Sequence, residues 1–110
     1  MTCQKGDIVI VPVPFTDNLR YKLRPALVLS NNLVHKTGHV LIAQITSKSV
    51  SDGLSFLLNE NDLTVKLPLT SYVRIHKLFV LEEELIKGKV SHLKEEAYQR
   101  LIGKIIDVIS

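Results

Sequence analysis

The sequence predicts a mainly β protein with one C-terminal α-helix, folded as a small barrel. Of its 110 residues, 45% are hydrophobic but only 5% are aromatic, so the core must consist largely of Ile, Leu and Val, which favour sheet. Residues 7–90 hold short apolar runs separated by turn residues, and an amphipathic pattern follows them. A chain of this length suits one domain, residues 1–110.

The strands are predicted from apolar runs and from the prolines and polar residues that end them. Residues 7–13 are predicted to form the first, which Pro12 and Pro14 end. Residues 16–23 are a long polar connection, which is uncommon unless it is functional or disordered. The run over residues 39–45 lacks alternation, which predicts a central strand buried on both faces. Other strands are predicted at residues 26–30, 54–58, 71–75, 78–81 and 86–90, with turns at 31–38, 49–53 and 59–62.

The end of the chain is predicted to be an amphipathic helix over residues 93–109. Gly103 within it lowers helix stability by roughly 1 kcal/mol relative to alanine. Apolar residues recur there every three or four positions, at Leu93, Ala97, Tyr98, Leu101, Ile102, Ile105, Val108 and Ile109.

Composition excludes several classes of protein. No apolar run approaches the ~20 residues that span a bilayer, and the N-terminus lacks the regions of a signal peptide, so we expect a cytosolic protein. The single cysteine, Cys3, excludes an internal disulfide, and we expect it to be inert at a frayed terminus. The histidines His35, His39 and His92 show no metal-ligand spacing, so neither metal nor cofactor is expected.

Positive charge is concentrated near predicted strand ends, although the net charge is only +3. Arg20, Lys22 and Arg24 alternate, so they face one side if this stretch is extended. This segregation favours a phosphate-binding face, with solvated surface charge as the alternative for any single lysine. Further basic residues near strand ends are Lys48, Lys66, Arg74 and Lys77.

Two motifs carry the most information. Arg24 and Pro25 stand at the entrance of an apolar strand, and proline holds the residue before it in an extended conformation, so the arginine is positioned there. The strand over residues 39–45 is followed by Thr46 and Ser47, whose hydroxyls emerge at a sheet edge.

In this order and spacing, these motifs resemble the MazF/PemK (also Kid) toxins of bacterial toxin-antitoxin systems, which are metal-independent endoribonucleases. The resemblance implies an SH3-like barrel, a homodimer that binds single-stranded RNA, and a cognate antitoxin protein that occupies the same groove and can link the complex to operator DNA. The matching segments are Lys5-Gly6-Asp7-Ile8-Val9, Arg24-Pro25-Ala26-Leu27-Val28-Leu29-Ser30-Asn31, Ile45-Thr46-Ser47, Ser71-Tyr72-Val73-Arg74 and Lys89-Val90.

The resemblance also implies roles for the residues at these motifs. Arg24 matches a catalytic arginine, and its planar guanidinium suits two phosphate oxygens. Thr46 matches an active-site threonine, and Ser47 is expected to contact RNA. Without the resemblance, Arg24 would read as an ordinary surface charge and the two hydroxyl residues as turn residues.

Arg74 and His76 are also candidate catalytic residues. In the Kid branch a segment similar to residues 73–76 carries an arginine and, two positions later, an aspartate in acid-base roles. Here His76 replaces the aspartate, and histidine can act as acid or base near neutrality. A structural histidine is the equally weighted alternative. Strand alternation would place both side chains on one face.

Other expected RNA contacts come from the basic segments and one aromatic residue. Tyr21 can stack on a base or cover the core edge. Many relatives have a Gln-X-Arg-Thr segment where this chain has residues 77–80, so base recognition is not carried over from them. The remaining contacts are expected from Arg20, Lys22, Lys48 and Lys77.

Two further functions stay open on the same barrel. One is a non-catalytic toxin similar to the gyrase inhibitor CcdB, whose function depends on a C-terminal segment with a tryptophan that this chain lacks. The other is a module that binds RNA or protein without cutting, because fold alone does not determine function.

Overall fold

The computed structural model describes residues 3–14 and 19–110, and within them six antiparallel strands form one sheet. The strand order is β4-β5-β3-β2-β1-β6. The strands are β1 (Asp7–Pro14), β2 (Tyr21–Val28), β3 (His39–Thr46), β4 (Ser55–Leu57), β5 (Tyr72–Glu82) and β6 (Gly88–His92). The helices are α1 (Asn32–His35) and α2 (Glu95–Ile109), with 3-10 turns at Glu60–Asp62 and Glu83–Leu85.

Apolar side chains are buried on both faces of this sheet. Strand β3 contributes Ala43 and Ile45 to the cluster beneath α2, and Val40 and Ile42 to the cluster on the opposite face. The predicted burial of the central strand on both faces is therefore confirmed. The α2 side of the first cluster consists of Ala97, Tyr98, Leu101 and Ile105.

The segment after β4 connects the two edges of the sheet. β4 and β6 are the edge strands, and Leu63 forms an isolated antiparallel bridge with Leu93, next to the end of β6. The amide of Thr64 donates to the carbonyl of His92 at 3.0 Å. This bridging of the edges curls the sheet into the predicted barrel and leaves fewer unpaired edge groups.

Several predicted boundaries were wrong, for identifiable reasons. β2 begins at Tyr21 rather than residue 26, because residues 21–24 pair with β1 in a hairpin arm, so only part of the predicted 16–23 connection is irregular. The remainder of that prediction, residues 16–18, lies outside the described residues. The predicted strands 71–75 and 78–81 are one strand, β5. The α-helix begins at Glu95, since Leu93 is held in the bridge to Leu63.

The expectation of a frayed Cys3 was also wrong. Its side chain is 1% exposed, and its thiol donates to Glu83 Oε2 at 3.3 Å. Burial, followed by this hydrogen bond and the charge of Glu83, raises the pKa of Cys3 to about 12. A thiol that stays protonated is a poor nucleophile. Within the described part of the chain, no helix is long and apolar enough to span a bilayer.

Candidate cleavage site and nucleic-acid interface

The register of β2 and β3 brings the two sequence motifs together. Ala26 pairs with Gln44, and the same antiparallel register, continued by two residues, sets Arg24 opposite Thr46. The ladder ends at Ala26, next to Pro25, which has no amide to donate to β3. β2 and β3 therefore separate at Arg24, which leaves room for a ligand between the two strand ends.

Two adjoining clefts share Arg24, Thr46 and Ser47 as lining residues. We call the first the apolar cleft; it has a volume of about 340 Å³ and is further lined by Ile10, Pro25, Ile45, Leu67, Pro68, Leu69, Ser71 and Val90. We call the second the basic cleft; it has a volume of about 410 Å³ and is further lined by Val13, Pro14, Gln44, Lys48 and Lys77.

The hydroxyl of Thr46 is oriented by a backbone amide two residues later in the chain. The amide of Lys48 donates to Thr46 Oγ1 at 3.1 Å, a local turn that fixes the side chain. Because the oxygen accepts this bond, the hydroxyl proton remains available to a ligand in either cleft. Arg24 is half-buried, so its charge is held in place yet reaches both clefts.

A bulge in β5 determines which basic side chain joins the basic cleft. Ala43 pairs with Leu78, and Ile45 pairs with Val73. Between these two pairs β3 has one residue, Gln44, whereas β5 has four, residues 74–77. This irregularity of three extra residues interrupts the alternation of side chains along β5.

The bulge places Lys77 on the face that carries the basic cleft. Before it, Val73 packs in the cluster beneath α2, and after it Leu78 packs against that same cluster. Beyond the bulge, Phe79 and Leu81 belong to the opposite cluster. Lys77 lies two residues before Phe79, so it shares the face of Phe79, and it lines the basic cleft together with Arg24 and Thr46.

Arg74 is held elsewhere. Its Nη1 donates to Asp52 Oδ1 at 3.0 Å and to Ser55 Oγ at 2.7 Å, and its Nη2 donates to Asp52 Oδ2 at 2.8 Å. The Arg74 guanidinium holds the pKa of the Asp52 carboxyl well below its usual range, with a further contribution from the amide of Leu54. Hydrogen bonding to Asp52 in turn raises the pKa of Arg74. Arg74 lines neither cleft.

The other expected site residues divide into those that line the basic cleft and those that line neither cleft. Ser47, Lys48 and Lys77 line the basic cleft, as an RNA-binding role requires. His76 is exposed next to Lys77 but lines neither cleft, and the alternation that was to place it beside Arg74 is interrupted by the bulge. A second exposed group, at the start of the β2 arm, also lies outside both clefts: Arg20, Tyr21 and Lys22.

Sequence reasoning missed two contributors to the clefts. Gln44 lies two residues before Thr46 on β3, and this alternation could have identified it. The loop formed by Leu67, Pro68 and Leu69 is distant in sequence from Arg24 and Thr46, yet it lines the apolar cleft with them. Ser71 holds this loop, because its Oγ donates to the Leu69 carbonyl at 2.8 Å. Across residues 3–14 and 19–110, no three His, Cys, Asp or Glu side chains are grouped so that they could hold a metal ion.

Comparisons with known proteins agree with this architecture. A family model described as PemK-like, MazF-like toxin of type II toxin-antitoxin system matches residues 4–109, which confirms the resemblance inferred from the motifs. A comparison with curated protein sequences gave no match.

Solved structures share the barrel-like fold, which confirms the predicted fold class. MazE-MazF from Deinococcus radiodurans is 19% identical with a TM-score of 0.80, over 99% of this chain and 97% of that one. An endoribonuclease from a mycobacterial species, in complex with its cognate antitoxin, is 16% identical with a TM-score of 0.78, over 98% and 95%. The Mycobacterium tuberculosis toxin MazF-mt6 is 18% identical with a TM-score of 0.74, over 94% and 95%.

Proposed function

This chain belongs to the PemK-like, MazF-like toxins of type II toxin-antitoxin systems, and from that premise we propose that it is an endoribonuclease that cuts single-stranded RNA at a short sequence. The observation that supports this most is that Arg24 and Thr46 share the wall between two adjoining clefts. An arginine fork and a free hydroxyl proton are the donors that a scissile phosphate needs as negative charge builds on it.

The reaction uses the 2'-hydroxyl of the RNA as the nucleophile. A base takes the proton of that hydroxyl, the 2'-oxygen bonds to phosphorus, and the bond from phosphorus to the 5'-oxygen breaks. The departing 5'-oxygen takes up a proton from water, so the products are a cyclic phosphate and a free 5'-hydroxyl. Arg24 and Thr46 hold the phosphoryl oxygens. We assign the base to His76, which stands where the Kid branch has its acid-base aspartate and is exposed beside Lys77, a residue that lines the basic cleft. No step requires a metal ion.

The proposed partners follow from the family and from charge. We propose a homodimer in the cytoplasm that is neutralised by a cognate antitoxin, whose acidic residues compete with RNA for the basic cleft and through which the complex binds operator DNA. Two of the similar solved structures are toxins seen with their antitoxins. The basic cleft, with Arg24, Lys48 and Lys77, suits an acidic peptide as well as a phosphate chain.

The proposal is tested by incubating the purified protein with a long RNA in EDTA and mapping the ends. We expect cleavage with cyclic phosphate and 5'-hydroxyl ends. Arg24→Ala should lower the rate by roughly 100-fold or more, as when a transition-state donor is lost. Thr46→Val should lower it less, whereas Thr46→Ser, which keeps the hydroxyl, should retain most activity.

The matched control is Lys104→Ala, which removes an exposed charge on α2, outside both clefts. Wild-type rates in folded Arg24→Ala and Thr46→Val would place the site elsewhere. RNA binding without cleavage would favour the non-catalytic module, and activity that requires added magnesium would overturn metal independence.

A further inference from the structure

We propose that the two basic residues of β5 have different tasks: Lys77 contacts an RNA phosphate across the basic cleft from Arg24, whereas Arg74 is a positioning residue that holds the loop over residues 47–54 through Asp52. This inference rests on the proposed RNA cleavage and assigns the second cation of that site. It also departs from the role that the resemblance implies for Arg74.

The position of Lys77 follows from the bulge rather than from its place in the motif. The bulge turns the Lys77 side chain to the face of Phe79, so that it lines the same cleft as Arg24, Thr46 and Lys48. No carboxylate is among the described residues that line this cleft, so the charge of Lys77 is not neutralised by a lining residue. A flexible ammonium opposite a guanidinium can hold one phosphate from two sides.

The contacts of Arg74 leave little capacity for a substrate. Its side chain is 9% exposed, and both terminal nitrogens donate to Asp52, with a further bond to Ser55 on the neighbouring strand β4. To reach a phosphate, the guanidinium would have to leave a bidentate carboxylate, which is among the stronger side-chain interactions. Its charge is therefore satisfied within the fold.

The Asp52 contact gives Arg74 an indirect route to the site. Asp52 Oδ1 also accepts from the amide of Leu54 at 3.0 Å, so one carboxylate ties the end of this loop to β5. The same loop begins with Ser47 and Lys48, which line the basic cleft. Arg74 thus restricts one end of the loop whose other end carries two lining residues of the basic cleft.

The role of Lys77 is tested by binding to a 2'-O-methyl RNA oligonucleotide, which lacks the nucleophilic hydroxyl and cannot be cut. We expect Lys77→Ala to weaken binding and to reduce the slope of log K against log salt by about 0.7, the value for one phosphate contact on a single strand. It should also lower cleavage of ordinary RNA by about 10-fold or more, with Lys77→Arg retaining part of it. An unchanged salt slope, or a loss equal to that of the control Lys104→Ala, would overturn the role of Lys77.

The role of Arg74 is tested by a double-mutant cycle on cleavage. If Arg74 acts through Asp52, Arg74→Ala and Asp52→Ala should lower the rate by similar factors, and the double variant should be no slower than either one. A much larger loss for Arg74→Ala than for Asp52→Ala would overturn the positioning role and restore direct catalysis. Urea unfolding checks the fold, and Arg74→Lys, which keeps a charge for Asp52, replaces Arg74→Ala if the alanine variant does not fold.

The two proposals fail separately. If the wild-type protein cuts RNA while Lys77→Ala behaves like the control, this inference fails and the proposed function stands. If the wild-type protein binds the 2'-O-methyl RNA through Lys77 but cuts no RNA, the proposed function fails and the phosphate contact stands.

Discussion

At the scale of single residues, complete burial with protein partners distinguishes the side chains that stabilise the fold from those that can act on a ligand. Arg24 and Thr46 are half-buried and face clefts. Asp7 and Arg74 are buried and bonded to protein partners. A buried charge without a partner is costly, so the paired groups are poor candidates for binding a substrate.

His76 tests the proton-transfer step at this scale. The imidazole of His76 is the proposed base, so its removal should slow cleavage. We expect His76→Ala to remove most of the rate, and His76→Asp, which restores a carboxylate base, to keep partial activity. The exposed His39, on the far end of β3, supplies the control His39→Ala. A wild-type rate in His76→Ala would show that another group is the base.

At the scale of elements, α2 is held by its apolar face rather than by its end. Glu95 and Glu96 lie in its first turn, where negative charge favours the helix, but the residue before them makes no side-chain cap. Tyr98 adds one specific contact, because its hydroxyl donates to the carbonyl of Leu29 at 2.6 Å. Most of the stability of such a helix therefore comes from packing on the sheet.

The contribution of packing to the stability of α2 is tested by replacing Leu101. Its side chain is 0% exposed in the cluster beneath the helix, so Leu101→Ala should lower the free energy of unfolding by about 2–5 kcal/mol through lost burial and a cavity. Urea unfolding measures this, and Lys104→Ala, on the exposed face of the same helix, should change it by less than about 0.5 kcal/mol. Equal effects of the two variants would mean that α2 does not depend on this packing.

At the scale of the whole molecule, a buried carboxylate joins the first strand to the last. Asp7 is 2% exposed, and its Oδ1 accepts from His92 Nδ1 at 2.8 Å and pairs with Lys89 Nζ at 3.1 Å, while its Oδ2 accepts from the amide of Gln4. Burial opposes ionisation, but these hydrogen bonds and the charge of Lys89 outweigh it and lower the pKa of Asp7.

The lowered pKa sets the sign of the pH dependence. An Asp7 pKa that is lower in the folded state means that the ionised carboxylate stabilises the fold above the ordinary value near 4, and that this contribution is lost as the pH falls through the folded pKa. We expect Asp7→Asn to cost about 1–3 kcal/mol at pH 6, and the difference from wild type to shrink below pH 4. Urea unfolding at both pH values measures it. A difference that stays constant or grows in acid would contradict the assignment.

Local patterns in the sequence predicted much of the fold. The apolar repeat that ends in Leu101, Ile105 and Val108 predicted the helix, and the unalternating run over 39–45 predicted a strand buried on both faces, because both patterns depend on neighbours along the chain. The start of β2 was missed because two of residues 21–24 are charged and no apolar run covers them, and only pairing with β1 makes them a strand. Propensity does not record such non-local pairing.

The sequence by itself determined the family, the strand-rich fold with its terminal helix, and the order of the motifs that carry Arg24 and Thr46. Tertiary structure decided which basic side chains line the same cleft as Arg24 and Thr46. The sequence predicts separate strands over residues 71–75 and 78–81, with Arg74 and His76 on one face. In the structure a bulge, created by unequal pairing of β5 with β3, places Lys77 in the basic cleft, while Arg74 binds Asp52. A register shift depends on contacts between residues far apart in the chain, and an odd number of extra residues, three in this case, reverses the face that the later side chains of the strand occupy.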